Sequence, residues 1–187
     1  LQFEISMESF FQPNPRTAAL LYTRAAEYVF EGQENESGVV MDLFCGTGTI
    51  GQVLTKQGQG KRPIIGVDII DRAIEDAREN AQRNGLEGLE FFAADVGKFL
   101  LQYPEYKGNI HTVVLDPPRG GIAPKTLKRI LELEAQRIVY VSCNPATQAR
   151  DTVELTQAGY VLRKLTMVDQ FPHTAHIETV ALFDKQA

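Results

Sequence analysis

Cysteine is scarce in this chain, with only Cys45 and Cys143 among 187 residues. Two cysteines are too few for a disulfide framework and lie too far apart for a CxxC metal site, so a reducing, cytoplasmic compartment and no metal centre are expected. No apolar run approaches the roughly 18 to 20 residues that cross a bilayer, so no membrane role is expected. The opening Leu1-Gln2-Phe3-Glu4 lacks the basic and apolar regions of a signal peptide. Positive charge is also short: 19 Lys and Arg stand against 24 Asp and Glu, for a net charge of −5 and a pI near 5.3. A protein that grips nucleic acid normally carries a basic footprint. This balance therefore excludes a free-standing RNA or DNA binder, unless Arg119, Lys125, Lys128, Arg129 and Arg150 gather on one face or a separate domain does the gripping. There is no initiating methionine, and the chain enters at once on a strand-like Phe3-Glu4-Ile5, which suggests an excised domain. No internal repeat, low-complexity tract or protein-partner signal is present.

With 43% hydrophobic and 23% charged residues, the length suits one globular domain. Apolar runs predict strands over 39–44, 64–68, 89–93, 112–116 and 137–142, with two more over 160–168 and 177–183. Helical spacing predicts helices between them. One covers 16–30, with Ala19, Leu20, Ala26 and Val29 as its apolar face. Another covers 71–84, N-capped by Asp71 and stopped at Asn84-Gly85. Pro124 opens a third to 133, and a fourth covers 147–157. Alternating strands and helices indicate a parallel sheet covered on both faces. The 169–176 connection is too short for a parallel crossover, so the last two strands pair antiparallel. The expected architecture is α/β: a central seven-stranded, mostly parallel Rossmann-like sheet with a terminal antiparallel pair, the outline of an S-adenosylmethionine-dependent methyltransferase.

Ligands of doubly wound sheets sit at the carboxyl ends of the strands. Three acids fall there: Asp42 near the first strand end, Asp68 closing the second and Asp95 after the third. Gly46 and Gly48 let the backbone approach a ligand and turn into the following helix. Asp68 is placed to accept from both ribose hydroxyls, and Asp95 to read an exocyclic amine. Gly46, Gly48 and Gly51 also satisfy the G-x-G-x-x-G spacing, so the glycines alone do not separate S-adenosylmethionine from NAD. Asp42 before the turn and the antiparallel pair favour the former.

The other notable motifs are Asp116-Pro117-Pro118-Arg119 at a strand end, Ser142-Cys143-Asn144-Pro145 at the next, and a late His176-Ile177-Glu178. Together with Phe10-Phe11-Gln12-Pro13-Asn14 and the 42–51 turn, they make the chain resemble the catalytic domain of the RNA uracil-C5 methyltransferase family. The resemblance runs from about residue 9 to residue 183. It implies that Gln12, Phe44, Thr49, Asp68, Asp95 and Asp116 line the S-adenosylmethionine pocket and its border with the target base. It makes Cys143 the nucleophile and Glu178 the proton acceptor, and it makes residues 1–187 a catalytic domain of a longer chain with an N-terminal RNA-binding region. The family often has Glu where this chain has Asp68, and the clustered iron–sulfur cysteines of some members are absent from this segment. Pro13 and Pro15 stiffen the loop holding Gln12.

These residue types suit the chemistry. Carbon 5 of uracil is a weak nucleophile until a thiolate adds at carbon 6, and a carboxylate must later take the carbon-5 proton. Arg119 is placed to offset enolate charge or meet a phosphate, with Asp116 at the ring edge. Cys45 is expected to be inert core behind the cofactor turn. Glu178 is open to a solvent-facing edge reading, and His176 to roles as a second base, a phosphate contact or a turn residue. The expected partner is ribosomal or transfer RNA, with the uridine in a loop or flipped out. A cytosine-C5 RNA methyltransferase is the nearest competing enzyme, and a non-catalytic S-adenosylmethionine- or RNA-binding module the competing class. Arg119, where an aromatic would stack on the base, argues against an amino-methylating enzyme. The lack of a Tyr-x-x-x-Lys pair argues against an NAD oxidoreductase.

Overall fold

The computed structural model describes residues 1–6, 12, 14–32 and 38–186. Phe10, Phe11 and Pro13 of the first motif lie outside the described residues. Seven strands form one sheet: β1 (Val39–Leu43), β2 (Ile64–Asp68), β3 (Leu89–Ala93), β4 (Ile110–Leu115), β5 (Arg137–Ser142), β6 (Tyr160–Val168) and β7 (Glu178–Lys185). Their spatial order is β3-β2-β1-β4-β5-β7-β6. Strands β1 to β5 pair in parallel. Strand β7 inserts between β5 and β6 and runs antiparallel to both. The expected terminal pair is present, and β7 is its one reversed member.

Among the described residues, six α-helices flank the sheet: α1 (Pro15–Phe30), α2 (Thr49–Gln57), α3 (Asp71–Arg83), α4 (Val96–Gln102), α5 (Pro124–Leu131) and α6 (Pro145–Gln157). Successive strand residues face opposite sides. Val40, Val114, Val139, Val141, Val180 and Leu182 pack with Leu21, Ala25 and Val29 of α1 and Ile50 and Leu54 of α2. Met41, Leu43, Val113, Leu115, Ile138, Tyr140 and Phe183 pack with Phe99 of α4, Leu127 and Ile130 of α5 and Leu155 of α6. Helix α3 covers the β3 side through Ile74, Ala77 and Ala81 against Phe91.

Four local expectations need correction. Residues 1–6 form no strand. They lie extended along α3, where Asn84 Oδ1 accepts from Gln2 N at 2.8 Å and Asn80 Oδ1 accepts from Glu4 N at 2.8 Å. The two amide groups donate back to the carbonyls of Gln2 and Glu4, so side chains supply the pairing a neighbouring strand would give. Asp71 is the first helical residue, and Ile70 occupies the N-cap position. The buried face of α1 runs through Ala18, Leu21, Tyr22, Ala25, Ala26 and Val29, leaving Leu20 63% exposed. Glu178 is no solvent-facing edge residue, because it opens the interior strand β7 and is only 4% exposed.

One buried carboxylate locks together the elements that frame the later site. Asp151 on α6 accepts from the Tyr140 hydroxyl of β5 at 2.7 Å and from Ile122 N, beyond the β4 exit, at 2.9 Å. Arg150 supplies its charge partner at 2.7 Å. Replacing Asp151 by Ala leaves a buried hydroxyl and a buried amide without an acceptor. We expect Asp151→Ala to cost about 2–4 kcal/mol in urea unfolding, against about 1 kcal/mol for Tyr140→Phe.

Candidate active site at the carboxyl end of the sheet

The chain leaves β1 through a turn with left-handed backbone at Phe44 (φ 63°), Gly46 (φ 52°) and Gly48 (φ 67°). A Cβ at Gly48 would also come within 2.5 Å of the Phe91 ring, so only glycine fits. Phe44 bears the left-handed conformation as an L-residue, a cost on the order of 1–2 kcal/mol, with its amide held by Val67 O at 2.8 Å. Thr49 opens α2, its hydroxyl 3.1 Å from that of Thr47.

Asp42 is fully buried, and its Oδ2 accepts from Gly51 N at 2.9 Å. A Cβ at position 51 would stand 3.2 Å from that oxygen, so the third glycine makes room for the carboxylate. Its Oδ1 finds no hydrogen-bond partner among the described residues. Burial pushes the Asp42 carboxyl from 3.8 up to about 7; the Gly51 N–H opposes the shift and the Asp68 charge adds to it. Asp68 braces the turn from the end of β2. Its Oδ2 accepts from Gly46 N and its Oδ1 from Ile70 N, each at 2.9 Å, and each oxygen retains a further lone pair. Asp95 caps α4 by accepting from Lys98 N through Oδ1 at 2.8 Å, which leaves Oδ2 uncommitted by the cap. Asp42, Asp68, Asp95 and Asp116 all stand at the carboxyl ends of parallel strands. Such an end favours a ligand carrying positive charge and disfavours a pyrophosphate.

The thiol and the late carboxylate meet through sheet register. The β5–β7 rungs run Tyr140↔Ala181, Val141↔Val180 and Ser142↔Thr179, so the next pair in register is Cys143 with Glu178. Alternation from Val141 and Val180 directs both toward the α1 side, as alternation from Val114 directs Asp116. The exit turn is fastened at several points. The Ser142 hydroxyl accepts from Asn144 N at 3.1 Å, and Asn144 caps α6 by accepting from Ala146 N at 3.2 Å. Behind it, the Thr179 hydroxyl donates to Gln148 Oε1 at 2.9 Å, and Gln148 Nε2 donates to Tyr140 O at 2.9 Å.

Burial raises the Cys143 thiol above its ordinary value, and the charges of Glu178 and Asp116 add to this, while Arg119 works in the opposite direction. Glu178 is also raised by burial, again opposed by Arg119. Asp116 is raised well above 3.8 by burial, then by Asp42, Glu178 and Asp68. Cys45 is buried with its thiol pushed up, packed against Ile74, Ala77 and Phe91, as expected of inert core.

Every sequence-predicted site residue thus falls at the same end of the sheet, with Gln12 arriving by an unforeseen route. The buried Gln12 Oε1 accepts from Nε2 of the buried Gln170, at the start of the loop leading to Glu178. Sequence reading missed three participants. Gln170 is one. Tyr22 of α1 is another: it is 8% exposed, and its phenol is raised first by burial and then by Asp116, Glu178 and Asp42. The third is a contact between Arg119 Nη2 and His176 Nδ1 at 2.9 Å. Two members of the anticipated basic cluster are committed to structure: Arg129 donates to Gly97 O, and Arg150 donates to Asp151 and to Gly120 O.

The raised Asp42 carboxyl sets a pH dependence with a definite sign. A carboxyl whose folded value exceeds its unfolded one stabilises the fold below the unfolded value, and that contribution is lost as pH rises through the folded one. For Asp42 the window runs from 3.8 to about 7. Asn at this position keeps an acceptor for Gly51 N and cannot ionise. We expect the stability of the wild type minus that of Asp42→Asn to fall between about pH 4 and pH 7 in urea titrations. A difference independent of pH would contradict the assignment.

The family model for tRNA (uracil-5-)-methyltransferase matches residues 1–186. An uncharacterized RNA methyltransferase of Caldanaerobacter subterraneus subsp. tengcongensis is 43% identical over 185 residues, covering 99% of this chain and 39% of that protein. One of Clostridium tetani is 41% identical over 180 residues, covering 96% of this chain and 38% of its own length. The chain thus spans about two fifths of the length of the curated relatives it matches. Among solved structures, the Pyrococcus abyssi tRNA (uracil-54, C5)-methyltransferase, in complex with S-adenosyl-L-homocysteine, superimposes with a TM-score of 0.78 at 35% identity. That match covers 94% of this chain and 40% of the other. By the extent of the family match and the identity to these relatives, the chain belongs to the tRNA (uracil-5-)-methyltransferase family.

Proposed function

We propose that this chain is the catalytic part of an S-adenosylmethionine-dependent enzyme that methylates carbon 5 of a uridine in ribosomal or transfer RNA through a covalent Cys143 adduct. The observation that carries this reading is the register that sets Cys143 opposite Glu178 on the α1 side, beside Asp116. The acid-lined strand ends fit the sulfonium and ammonium charges of the cofactor. Asp68 and Asp95 would hold its ribose and adenine, and the Gly46–Gly48 turn, with Phe44 and Thr49, its remainder. A uridine stacked in RNA cannot reach a thiol at a strand exit, so the base enters flipped or from a loop.

The residues then act in sequence. Cys143, which is partly exposed, gives its Sγ proton to solvent, and the sulfur bonds to carbon 6 while the carbon 5–carbon 6 π electrons move through carbon 4 onto its oxygen. Arg119 offsets the charge that develops there. When bound, S-adenosylmethionine would supply the methyl group to carbon 5, with S-adenosylhomocysteine as the leaving group. Glu178 accepts the carbon-5 proton; the Sγ–carbon 6 bond breaks, and the double bond returns. Burial suits Glu178 to this task, because a raised carboxyl is a stronger proton acceptor than an exposed one.

Intact-protein mass spectrometry with S-adenosylmethionine and RNA containing 5-fluorouridine tests the proposal, since fluorine cannot leave as a proton does. We expect a methylated covalent adduct that is absent in Cys143→Ala. With ordinary uridine, Glu178→Gln is expected to slow turnover by about 10²–10⁴-fold and to accumulate the methylated adduct. An adduct persisting in Cys143→Ala would overturn the assignment of the nucleophile. An adduct with 5-fluorocytidine and none with 5-fluorouridine would move the substrate to cytosine.

The net charge of −5 leads to a further expectation about RNA. Phosphate contacts normally supply most non-specific affinity, so residues 1–187 alone should bind arbitrary RNA weakly, with Kd above about 10⁻⁶ M at physiological salt. Filter binding or fluorescence anisotropy measures this directly, and nanomolar binding would refute it.

A further inference from the structure

Arg119 follows the exit of β4, and His176 precedes the entry of β7. Strand β5 lies between those two strands in the sheet, and Cys143 is the first residue beyond its end. A contact from Arg119 to His176 therefore arches across the mouth from which the thiol emerges. The 2.9 Å approach of Arg119 Nη2 to His176 Nδ1 is such a contact. Guanidinium can only donate, so His176 Nδ1 is the unprotonated acceptor and the ring proton resides on Nε2.

Both ends of the arch are tethered. The Arg119 carbonyl accepts from Asn144 Nδ2 at 3.0 Å and from the Thr147 hydroxyl at 3.3 Å, which ties its backbone to the residues just after Cys143. His176 N donates to the Thr174 hydroxyl at 3.1 Å, and Thr174 N in turn donates to Phe171 O at 3.1 Å. The loop is thus knit to itself where it presents the imidazole. An exposed arginine on a flexible stem would otherwise sample many rotamers, and one fixed acceptor selects among them.

We propose that His176 is a positioning residue whose Nδ1 holds the Arg119 guanidinium across the mouth of the site, beside Cys143 and Glu178. This rests on the covalent reading above and adds a role for a residue that touches neither base nor cofactor in it. The charged groups that bear on the thiol are Glu178, Asp116 and Arg119, and Arg119 is the only cation among them. The same guanidinium favours the ionised form of Glu178. A displaced Arg119 would leave the thiol facing carboxylates alone, so thiolate would become harder to form.

The rate of Cys143 alkylation by iodoacetamide, followed from about pH 6 to pH 10 in the protein without RNA or cofactor, reads out the thiolate directly. Cys45 is buried, and Cys143→Ala supplies the background. We expect His176→Ala to move the alkylation midpoint upward by about half a unit to one unit, the size of one partly screened charge at short range. Arg119→Ala should match it, and the double variant should go no further. His176→Gln, which retains an acceptor, should restore part of the shift, whereas a purely structural role would not separate Gln from Ala. The proposal is overturned if His176→Ala leaves the midpoint in place, or if it shifts the midpoint equally when Arg119 is already absent. Thiol alkylation requires no RNA and no methyl transfer, so this result is independent of whether the 5-fluorouridine adduct forms.

Discussion

The site depends on the reversal of one strand. Six strands, β1 to β6, run the same way and deliver their carboxyl ends to one edge, and a seventh in that direction would bring only another exit. Because β7 runs the other way between β5 and β6, it brings a strand entry to that edge. The entry residue Glu178 is thereby set against the exit residue Cys143, though the two are 35 positions apart in number. Neither can slip by one step without turning its side chain to the α6 side, because a one-residue change of register exchanges the faces of a strand. The α6 side is closed by Thr179, Gln148 and Tyr140, whose hydrogen bonds fix which residues face it. The approach of Cys143 to Glu178 follows from β pairing and its fastening, with little left to the loops.

That same edge concentrates negative charge, which the fold carries at some cost. Asp42, Asp116 and Glu178 are all raised by burial, and each of the first two is raised further by neighbouring acids. Asp42 is the extreme case, since one oxygen is held by Gly51 N and the other is unpartnered among the described residues. Buried acids without cationic partners destabilise an empty site and strengthen its preference for a cationic ligand. Arg119 is the cation that bears on Cys143 and Glu178, and it lies at the exposed mouth, where a fixed imidazole can steer it. Stability and binding are in this sense opposed at the strand ends and reconciled only when the site is filled.

Legibility in the sequence followed the range of the interaction. The Asn84-Gly85 stop of α3, the proline start of α5 and the glycine turn after β1 all arise within a few residues and were readable, whereas α6 begins at Pro145, two residues before the expected start at 147. The acids at strand ends were readable because alternating strands and helices set out a parallel sheet before any contact is known. Reading failed where one residue type serves two purposes. Asp95 looked only like a ligand group, so α4, which it caps, went unseen. The alternation Phe3-Glu4-Ile5 looked like a strand because asparagine amides on α3 can pair an extended segment as a strand would. Tyr22, Gln170 and the Arg119–His176 contact join segments far apart in number, and no local pattern announces them.

The glycine turn shows why local and long-range constraints agree at the β1 exit. Asp68 accepts from Gly46 N and Asp42 from Gly51 N, so carboxylates from two neighbouring strands grip the turn from both ends. A wider residue at 51 would press on Asp42 Oδ2, and one at 48 would strike Phe91 on the third strand. The turn is therefore held by groups on β1, β2 and β3 at once. Phe44 is drawn into left-handed backbone by this same fixing, its amide bound to Val67 O while its ring remains partly exposed beside the core. Glycine or asparagine at position 44 would carry this backbone with less strain, so what the strain retains there is the phenylalanine ring packed beside the core. The sheet thus gathers at one edge a strained, acid-gripped turn on the β1 side and a register-matched thiol and carboxylate on the β7 side.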